Sequence, residues 1–455
     1  MAARKIACLG AGSQYFTRAL GDLAVTTGLA GSELALYDID CEKADVMARH
    51  GRRLAEQSGT GLRVGLCAEL AEALDGADFV ITSIGGGGQS RGSIYGTGVH
   101  VQDVLIPERY GIRQVIGDTG GPAGMMMALR SIPIYLNICH EMEKRSPTAI
   151  LLNHSNPMAV LCRAMVKYSR INVIGICHGV QLGIVGVARL LGVPPEELET
   201  VWIGTNHYHW FTRIRHQGRD VYPELWRRLA EGGPTRGEEM THRLSAAYGF
   251  RIVYPPDDHA VEFYPYLTQL PASAPLPYGL HASTTAEGAE AAAKPEAVVG
   301  LAQRGANRTE ELEAYAAQLA KVQLPERQSD PITGEGLGML IEDIAIGRRR
   351  VHIVNVPNRG AVPNLPDHAL LEIEGVSDSA GVRGIYVGEA PTSLMGLLQK
   401  RIAWQELVAD AGVRGDRRLA LQAVLLDELT VRPELAEAML DELLAASREL
   451  LPQFG

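Results

Sequence analysis

Residues 5–13 read Lys5-Ile6-Ala7-Cys8-Leu9-Gly10-Ala11-Gly12-Ser13, and residues 33–40 read Glu33-Leu34-Ala35-Leu36-Tyr37-Asp38-Ile39-Asp40. Each opens on a short β-compatible run and ends where the chain must turn. Between them Phe16–Val25 carries the apolar spacing of an amphipathic helix. Strand, glycine turn, helix, strand and acid, in that order, make a dinucleotide-binding unit. Glycines let backbone approach a pyrophosphate, the helix start faces its charge, and the acid accepts from ribose hydroxyls. Gly10, Gly12 and Ser13 are therefore candidates for the pyrophosphate and Asp38 for the ribose. A carboxylate at 38 favours NAD over NADP, because it repels a 2′-phosphate. Tyr15 stands where a third glycine is usual, so a plain tight turn also fits this stretch.

Working outward, the same alternation repeats. Cys41–Ser58 and Glu69–Leu74 read as helices and Phe79–Ser83 as a strand. That strand runs into a glycine-rich loop holding Gly85 and Arg91, where backbone can approach a ligand closely. Gly85 is a cofactor contact on this reading. Arg91 is either an anion or sugar contact or an ordinary surface arginine. Gly117–Gly124 precedes a Met/Leu-rich helix, Met125–Arg145, and Asp118 within it is either a turn residue or an active-site acid. Thr148–Leu152 leads into Asn153-His154-Ser155-Asn156-Pro157. Asn153 and Asn156 suit turn and cap positions, and equally a grip on cofactor or substrate hydroxyls.

Two further strand ends carry metal-capable side chains. Asn172–Ile176 is followed by Cys177-His178-Gly179, and Val201–Ile203 by Gly204-Thr205-Asn206-His207, with a helix at Gln181–Leu191 between them. If the two strands are neighbours in one sheet, Cys177 and His207 meet at its carboxyl edge, where open α/β folds bind ligands. A thiolate and an imidazole hold a divalent ion and leave positions open for substrate oxygens. A metal beside a nicotinamide suits oxidation of a hydroxyl to a ketone.

Beyond His207, Tyr208–Ile214 reads as a strand and Pro223–Tyr248 as mostly helix. A polar and aromatic loop spans residues 254–266. Further helices are expected at Thr309–Leu319 and Gly336–Gly347, and strands at Val351–Val356, Leu370–Ile373 and Gly384–Val387. Ser393–Leu451 is nearly all helix. The expected fold is α/β. Its N-terminal part, residues 1–203, is a Rossmann-like doubly wound parallel sheet. Its C-terminal part, residues 204–455, is an α+β domain of the lactate/malate dehydrogenase type.

Composition bounds the partners. The chain has 455 residues, 46% of them hydrophobic, and a formal charge of -10; its mean hydropathy is -0.01. A core can form, and no basic tract invites nucleic acid. No apolar run reaches the ~20 residues that span a bilayer, and the start lacks the apolar region of a signal peptide. Six cysteines without a CxxC pair read as reduced thiols of a cytoplasmic protein.

The assembled motifs resemble one family over essentially the whole chain. They are the glycine turn at 10–13, the loop with Arg91, Gly117–Gly124, Asn153–Pro157, Cys177-His178-Gly179, Gly204–His207, Asp258-His259 and Asn364-Leu365-Pro366. The chain is similar to the NAD- and metal-dependent glycosidases, glycoside hydrolase family 4. The resemblance implies NAD and Mn2+ or another divalent metal as cofactors, with Cys177 and His207 as ligands. It implies oxidation at carbon 3, proton removal at carbon 2, loss of the aglycone, addition of water and re-reduction. Asp118 falls where the family assists the leaving group. The carbon 2 base falls among Asp257, Asp258 and His259, with Tyr264 and Tyr266 also in reach. Substrate contacts fall on Arg91, Asn153, Asn156, His178 and Asn206. The paired acids and the Cys-His-Gly triplet imply an unphosphorylated α-glycoside, with an α-glucuronide or related uronide as the narrower expectation. A homodimer or homotetramer is expected from the helical C-terminal region. Two other readings fit the cofactor motif: a hydroxy-acid or sugar dehydrogenase, and a binding protein without catalysis.

Overall fold

A computed structural model describes residues 2–85, 98–267, 274, 277, 280 and 308–455. Arg91 lies outside the described residues. The first part runs β1 (Lys5–Leu9), α1 (Phe16–Val25), β2 (Glu33–Tyr37), α2 (Cys41–Ser58), β3 (Arg63–Leu66), α3 (Leu70–Leu74) and β4 (Phe79–Thr82). It continues through α4 (Gly98–Arg109), α5 (Gly121–Arg145), β5 (Ile150–Asn153), α6 (Met158–Tyr168), β6 (Asn172–Gly175) and α7 (Gly179–Leu191). Strands β3-β2-β1-β4-β5-β6 lie side by side and pair in parallel, with Ile6 opposite Leu34 and Phe79. That is the doubly wound α/β sheet expected from the sequence.

Alternate residues of β1 serve two cores. Ile6 and Cys8 join Phe16, Leu20, Leu23 and Met47 on one face. Ala7 and Leu9 join Met125, Leu129, Leu161 and Trp404 on the other. Helices on both faces explain why β1, β2 and β4 read as continuous apolar runs rather than alternating ones. Burying a side chain such as Phe16 or Leu23, both 0% exposed, contributes roughly 1.5–3 kcal/mol.

The C-terminal half extends the same sheet. β7 (Leu198–Thr205), β8 (Tyr208–His216) and β9 (Arg219–Asp220) form a separate antiparallel sheet. Helices α8 (Tyr222–Gly232), α9 (Glu239–Tyr248), α10 (Asp257–Ala260), α11 (Arg308–Ala320) and α12 (Leu337–Ile346) follow. Then β10 (Val351–Pro357), β11 (Leu370–Asp378) and β12 (Gly381–Gly384) add to the edge of β6, antiparallel, through Asn355 opposite Gly175. Helices α13 (Thr392–Arg414), α14 (Arg417–Leu426) and α15 (Pro433–Ala446) complete the packing.

Two expectations are corrected. The strand ends before Cys177 and His207 belong to two sheets, not one: β6 is in the large sheet and β7 in the small one. The last strand sits at Gly381–Gly384, earlier than the apolar residues suggested, because the short turn after β11 sets its register from Asp378 opposite Gly381. β3 and α4 were not anticipated. β3 is four residues with a central glycine, and α4 contains Pro107, so neither carries a clear periodic signal. None of the described helices is long and apolar enough to cross a membrane.

Candidate active site

The glycine turn is fixed from both sides. Gly10 has φ +78°, and a Cβ there would sit 2.2 Å from the Ser83 carbonyl oxygen. Only glycine fits that position. Gly10 N and Ala11 N both donate to the Tyr37 carbonyl, at 2.9 and 3.1 Å. Asp38 closes the turn: Oδ2 accepts from Gly12 N and Oδ1 from Asp40 N, each at 2.8 Å. Burial raises the Asp38 carboxyl, and those two amides oppose the rise. Ser13 Oγ lies 2.9 Å from Ser83 Oγ. Gly10, Gly12, Ser13, Asp38, Gly85 and Asn156 line a cleft of ≈ 1730 Å³, above the ~300–1,000 Å³ of common ligand pockets. A cleft this long, with a glycine cradle and a carboxylate at one end, fits a dinucleotide.

Asn153 stays out of that cleft. It is 0% exposed; its Nδ2 donates to the Ser155 carbonyl, and its Oδ1 accepts from Ser155 N and Thr82 Oγ1. Its side chain shapes the turn after β5 and is not available to a ligand. Asn156 is available at the cleft wall, and its Nδ2 donates to Asp118 Oδ2 at 2.8 Å.

The thiol and imidazole do meet. Thr205 pairs with Tyr208, so Asn206 and His207 are the two residues of a tight β7–β8 turn. His207 has φ +62°, a region where histidine is among the better tolerated non-glycine residues. Trp202 Nε1 donates to the Glu372 carbonyl of β11 at 2.7 Å, which docks the small sheet on the large one. The turn thereby swings His207 over the end of β6, with Nε2 3.6 Å from Cys177 Sγ. Two ligands bound at ~2.3 Å (sulfur) and ~2.1 Å (nitrogen) to one tetrahedral ion stand about 3.6 Å apart. The pair therefore fits a divalent metal.

Protonation suits the same role. Burial, then the neighbouring His259, pushes His207 down to about 4, so its ring is neutral at ordinary pH. Burial pushes the Cys177 thiol up, with Glu372 adding to the rise; a bound cation would strip that proton. Buried Glu372 accepts from Asn206 Nδ2 at 3.1 Å and lies 3.2 Å from His209 Nε2. Glu372 Oε1 and Asn206 Oδ1 remain buried without a hydrogen-bond partner. Glu372 thus fixes the Asn206 side chain beside His207.

Asp118 and His259 complete the cluster, since Asp118, His207 and His259 each offer an atom within 4.8 Å of the others. Thr119 Oγ1 donates to Asp118 Oδ1 at 2.6 Å and lies 3.0 Å from His207 Nδ1. The loop before α5 is pinned by Glu262, whose carboxylate accepts from Gly117 N, Thr119 N and Gly120 N. Burial, then nearby Asp118, raises the Glu262 carboxyl, and the Gly117 and Gly120 amides oppose the rise. His259 Nδ1 lies 3.0 Å from Asp258 Oδ1. Burial would lower His259, but Asp258, Asp118 and Glu262 outweigh it and raise the ring. The Tyr254 ring stands 4.8 Å from His207 and 4.9 Å from His259.

The acids of the 254–266 loop separate. Asp257 is 1% exposed and accepts from Met240 N and Thr241 N at the start of α9. It caps a helix and does not face the site. Asp258 is half exposed and beside His259. Tyr264 is buried against Tyr208 and Tyr266. His178 is half exposed, with Nδ1 3.6 Å from Glu335 Oε1. Thr119, Tyr254, Glu262 and Glu372 were missed from sequence. Only the density of polar and aromatic residues around 254–262 hinted at two of them.

Comparison with known proteins gives a single direction. Residues 5–193 match the model of family 4 glycosyl hydrolases, and residues 202–430 match that family's C-terminal domain. An alpha-galacturonidase of Bacillus subtilis (strain 168) is 31% identical over 93% of this chain and 93% of its own. An alpha-galactosidase of the same organism is 29% identical over 99% of this chain and 100% of its own. A 6-phospho-alpha-glucosidase from gut microorganisms, solved with NAD and Mn2+, superposes with a TM-score of 0.76 at 24% identity, covering 99% of both chains. Both halves of the sequence answer to one family, and the chain belongs to the family 4 glycosyl hydrolases.

Proposed function

We propose that this glycosidase hydrolyses unphosphorylated α-glycosides, uronides among them, with NAD and Mn2+ or another divalent cation. The observation that carries the reading is the Cys177 Sγ–His207 Nε2 spacing of 3.6 Å, beside Asp118 and His259 and next to Asn156 on the wall of the dinucleotide cleft. The uronide reading draws on the similar alpha-galacturonidase. When bound, the nicotinamide supplies a reversible hydride acceptor and the cation a Lewis acid for sugar oxygens.

The chain's own residues divide the remaining work. Gly10, Gly12, Ser13, Asp38 and Gly85 seat the dinucleotide, and Cys177 and His207 seat the cation. Asp118 delivers a proton to the departing aglycone oxygen, positioned by Asn156 and Thr119. His259 receives the carbon 2 proton at Nε2, with Asp258 orienting its ring through Nδ1. Asn156 faces the sugar from the cleft wall, and Arg91, outside the described residues, remains an expected sugar contact. We assign 1–203 as the nucleotide part and 204–455 as the assembly part, with the catalytic groups drawn from both: Asp118, Asn156 and Cys177 from the first and His207, Asp258 and His259 from the second. Free thiols on every cysteine support a cytoplasmic setting, and the helical C-terminal region suits a homodimer or homotetramer.

The test is a panel of p-nitrophenyl α- and β-glycosides and uronides, with NAD and Mn2+ each omitted in turn and the productive substrate repeated in deuterium oxide. Release that needs both, with deuterium at carbon 2 and no net NADH, supports the reading. Steady NADH formation without release marks a dehydrogenase and overturns it.

A further inference from the structure

His154, just after β5, and His178, just after β6, converge with Glu335 in a cluster that does not include Cys177 or His207. His154 Nε2 lies 3.2 Å from Glu335 Oε1, and His178 Nδ1 lies 3.6 Å from the same oxygen. One ligand atom from each of the three falls within 4.8 Å of the others. The orientation of His154 is fixed independently, because its Nδ1 lies 3.0 Å from the Ile176 carbonyl oxygen. A carbonyl only accepts, so Nδ1 carries a hydrogen and Nε2 is the lone-pair side of the neutral ring. That lone pair faces a carboxylate oxygen. Two acceptors at this distance repel unless a positive charge lies between them.

We propose that His154, His178 and Glu335 form a second divalent-cation site, distinct from the Cys177–His207 site. Two imidazoles and one carboxylate are a ligand set that transition ions accept while keeping open positions. The set lacks sulfur, which separates it chemically from its neighbour. The Ile176 carbonyl acts on His154 as an outer partner that fixes tautomer and ring orientation. The His154 side chain is 18% exposed, Glu335 20% and His178 53%, and His154 lines the dinucleotide cleft. Open positions on the ion therefore face solvent and the cleft. An ion there, held by one carboxylate, keeps a net positive charge and takes an oxygen anion as an added ligand. This inference stands on these three residues and not on the glycosidase reading.

Cobalt separates the two sites without any activity assay. Co2+ bound to a thiolate gives an intense charge-transfer band in the near ultraviolet, and Co2+ on nitrogen and oxygen alone does not. Full-length protein, stripped of metal and kept reduced, is titrated with Co2+ while bound metal and spectrum are followed together. The expected result is one equivalent more than the charge-transfer band accounts for. Glu335→Gln and His154→Ala should lose that extra equivalent, or weaken it at least about tenfold, and keep the band at full height. His178→Ala changes a half-exposed side chain, so it repeats the test with a milder change than the other two. Cys177→Ser should do the reverse, losing the band and keeping the extra equivalent. Binding that saturates with the charge-transfer band alone would mean a proton bridges His154 and Glu335, and overturns the proposal. An extra equivalent that survives all three changes overturns it too.

Discussion

Thr119 has one proton and two neighbours that want it. Asp118 Oδ1 is 2.6 Å away and His207 Nδ1 is 3.0 Å away. The hydroxyl donates to Asp118 Oδ1, so its oxygen accepts from His207 Nδ1–H. That leaves the His207 Nε2 lone pair on the side of Cys177, where a metal ligand needs it. Outer partners of this kind are worth about 10–100-fold in metal affinity. Thr119→Val should weaken metal binding by that range with NAD affinity little changed, and Thr119→Ser should restore it. Competition with a chelating dye measures both; equal affinities for the two variants would remove the tautomer argument. Asp257 makes the opposite case. Its two oxygens are spent on α9 amides, so Asp257→Ala should cost about 1 kcal/mol of stability, as lost caps do. A thermal melt reads that loss, while metal affinity should stay at the wild-type value. A drop in metal affinity comparable to that of Thr119→Val would return Asp257 to the site.

At the scale of elements, the β7–β8 turn does the positioning. Gly204 has φ +157°, and a Cβ there would lie 2.2 Å from the Tyr208 carbonyl oxygen and 2.3 Å from His209 Cα. Both are backbone atoms of the facing strand, which cannot move aside without shifting the turn. Gly204→Ala should therefore displace His207 and lower metal affinity at least about tenfold. The NAD cleft should be spared, because β1, β2 and β4 lie in the other sheet. Parallel titrations with NAD and Mn2+ check this, and an equal loss for both would mean the change is global. The same element shows where the sequence could be read. β1, α1, β2 and α2 were legible because each has one local signal: an apolar run, a glycine turn or a 3.6-residue period. Cys177 and His207 were legible as residue types beside strand ends. The sheet that holds His207 was not, because strand pairing is decided by long-range docking such as Trp202 on Glu372. Thr119, 88 residues from His207, and Glu262, 142 residues from Gly120, leave no local trace at all. Asn153 was misread because a turn-forming asparagine and a ligand-binding one follow a strand in the same way.

Across the whole molecule, the two sheets enclose a histidine that the fold keeps neutral. The unfolded chain returns His207 to its ordinary value near 6.5, whereas the folded protein holds it at about 4. Between those values the unfolded state binds more protons, so the stability contributed by neutral His207 is whole above pH 6.5 and is lost as pH falls toward 4. A shift of that size corresponds to about 3 kcal/mol. Carboxylates also titrate in this window, so wild type alone does not isolate the ring. His207→Asn does: asparagine tolerates the φ of +62° at that turn and carries no titrating group. The stability gap between wild type and His207→Asn, followed by denaturant melts of metal-free protein from pH 7 to pH 4.5, should close steadily. Adding Mn2+ should widen it at pH 7, because a ligand that binds only the native state adds about 2.7 kcal/mol at a hundred times its Kd. The Mn2+ effect should fade toward pH 5, since the raised Cys177 thiol must lose its proton for the ion to bind. A gap that stays constant over the whole range would mean that His207 is solvated and titrates normally, and that no buried neutral ligand waits beside Cys177.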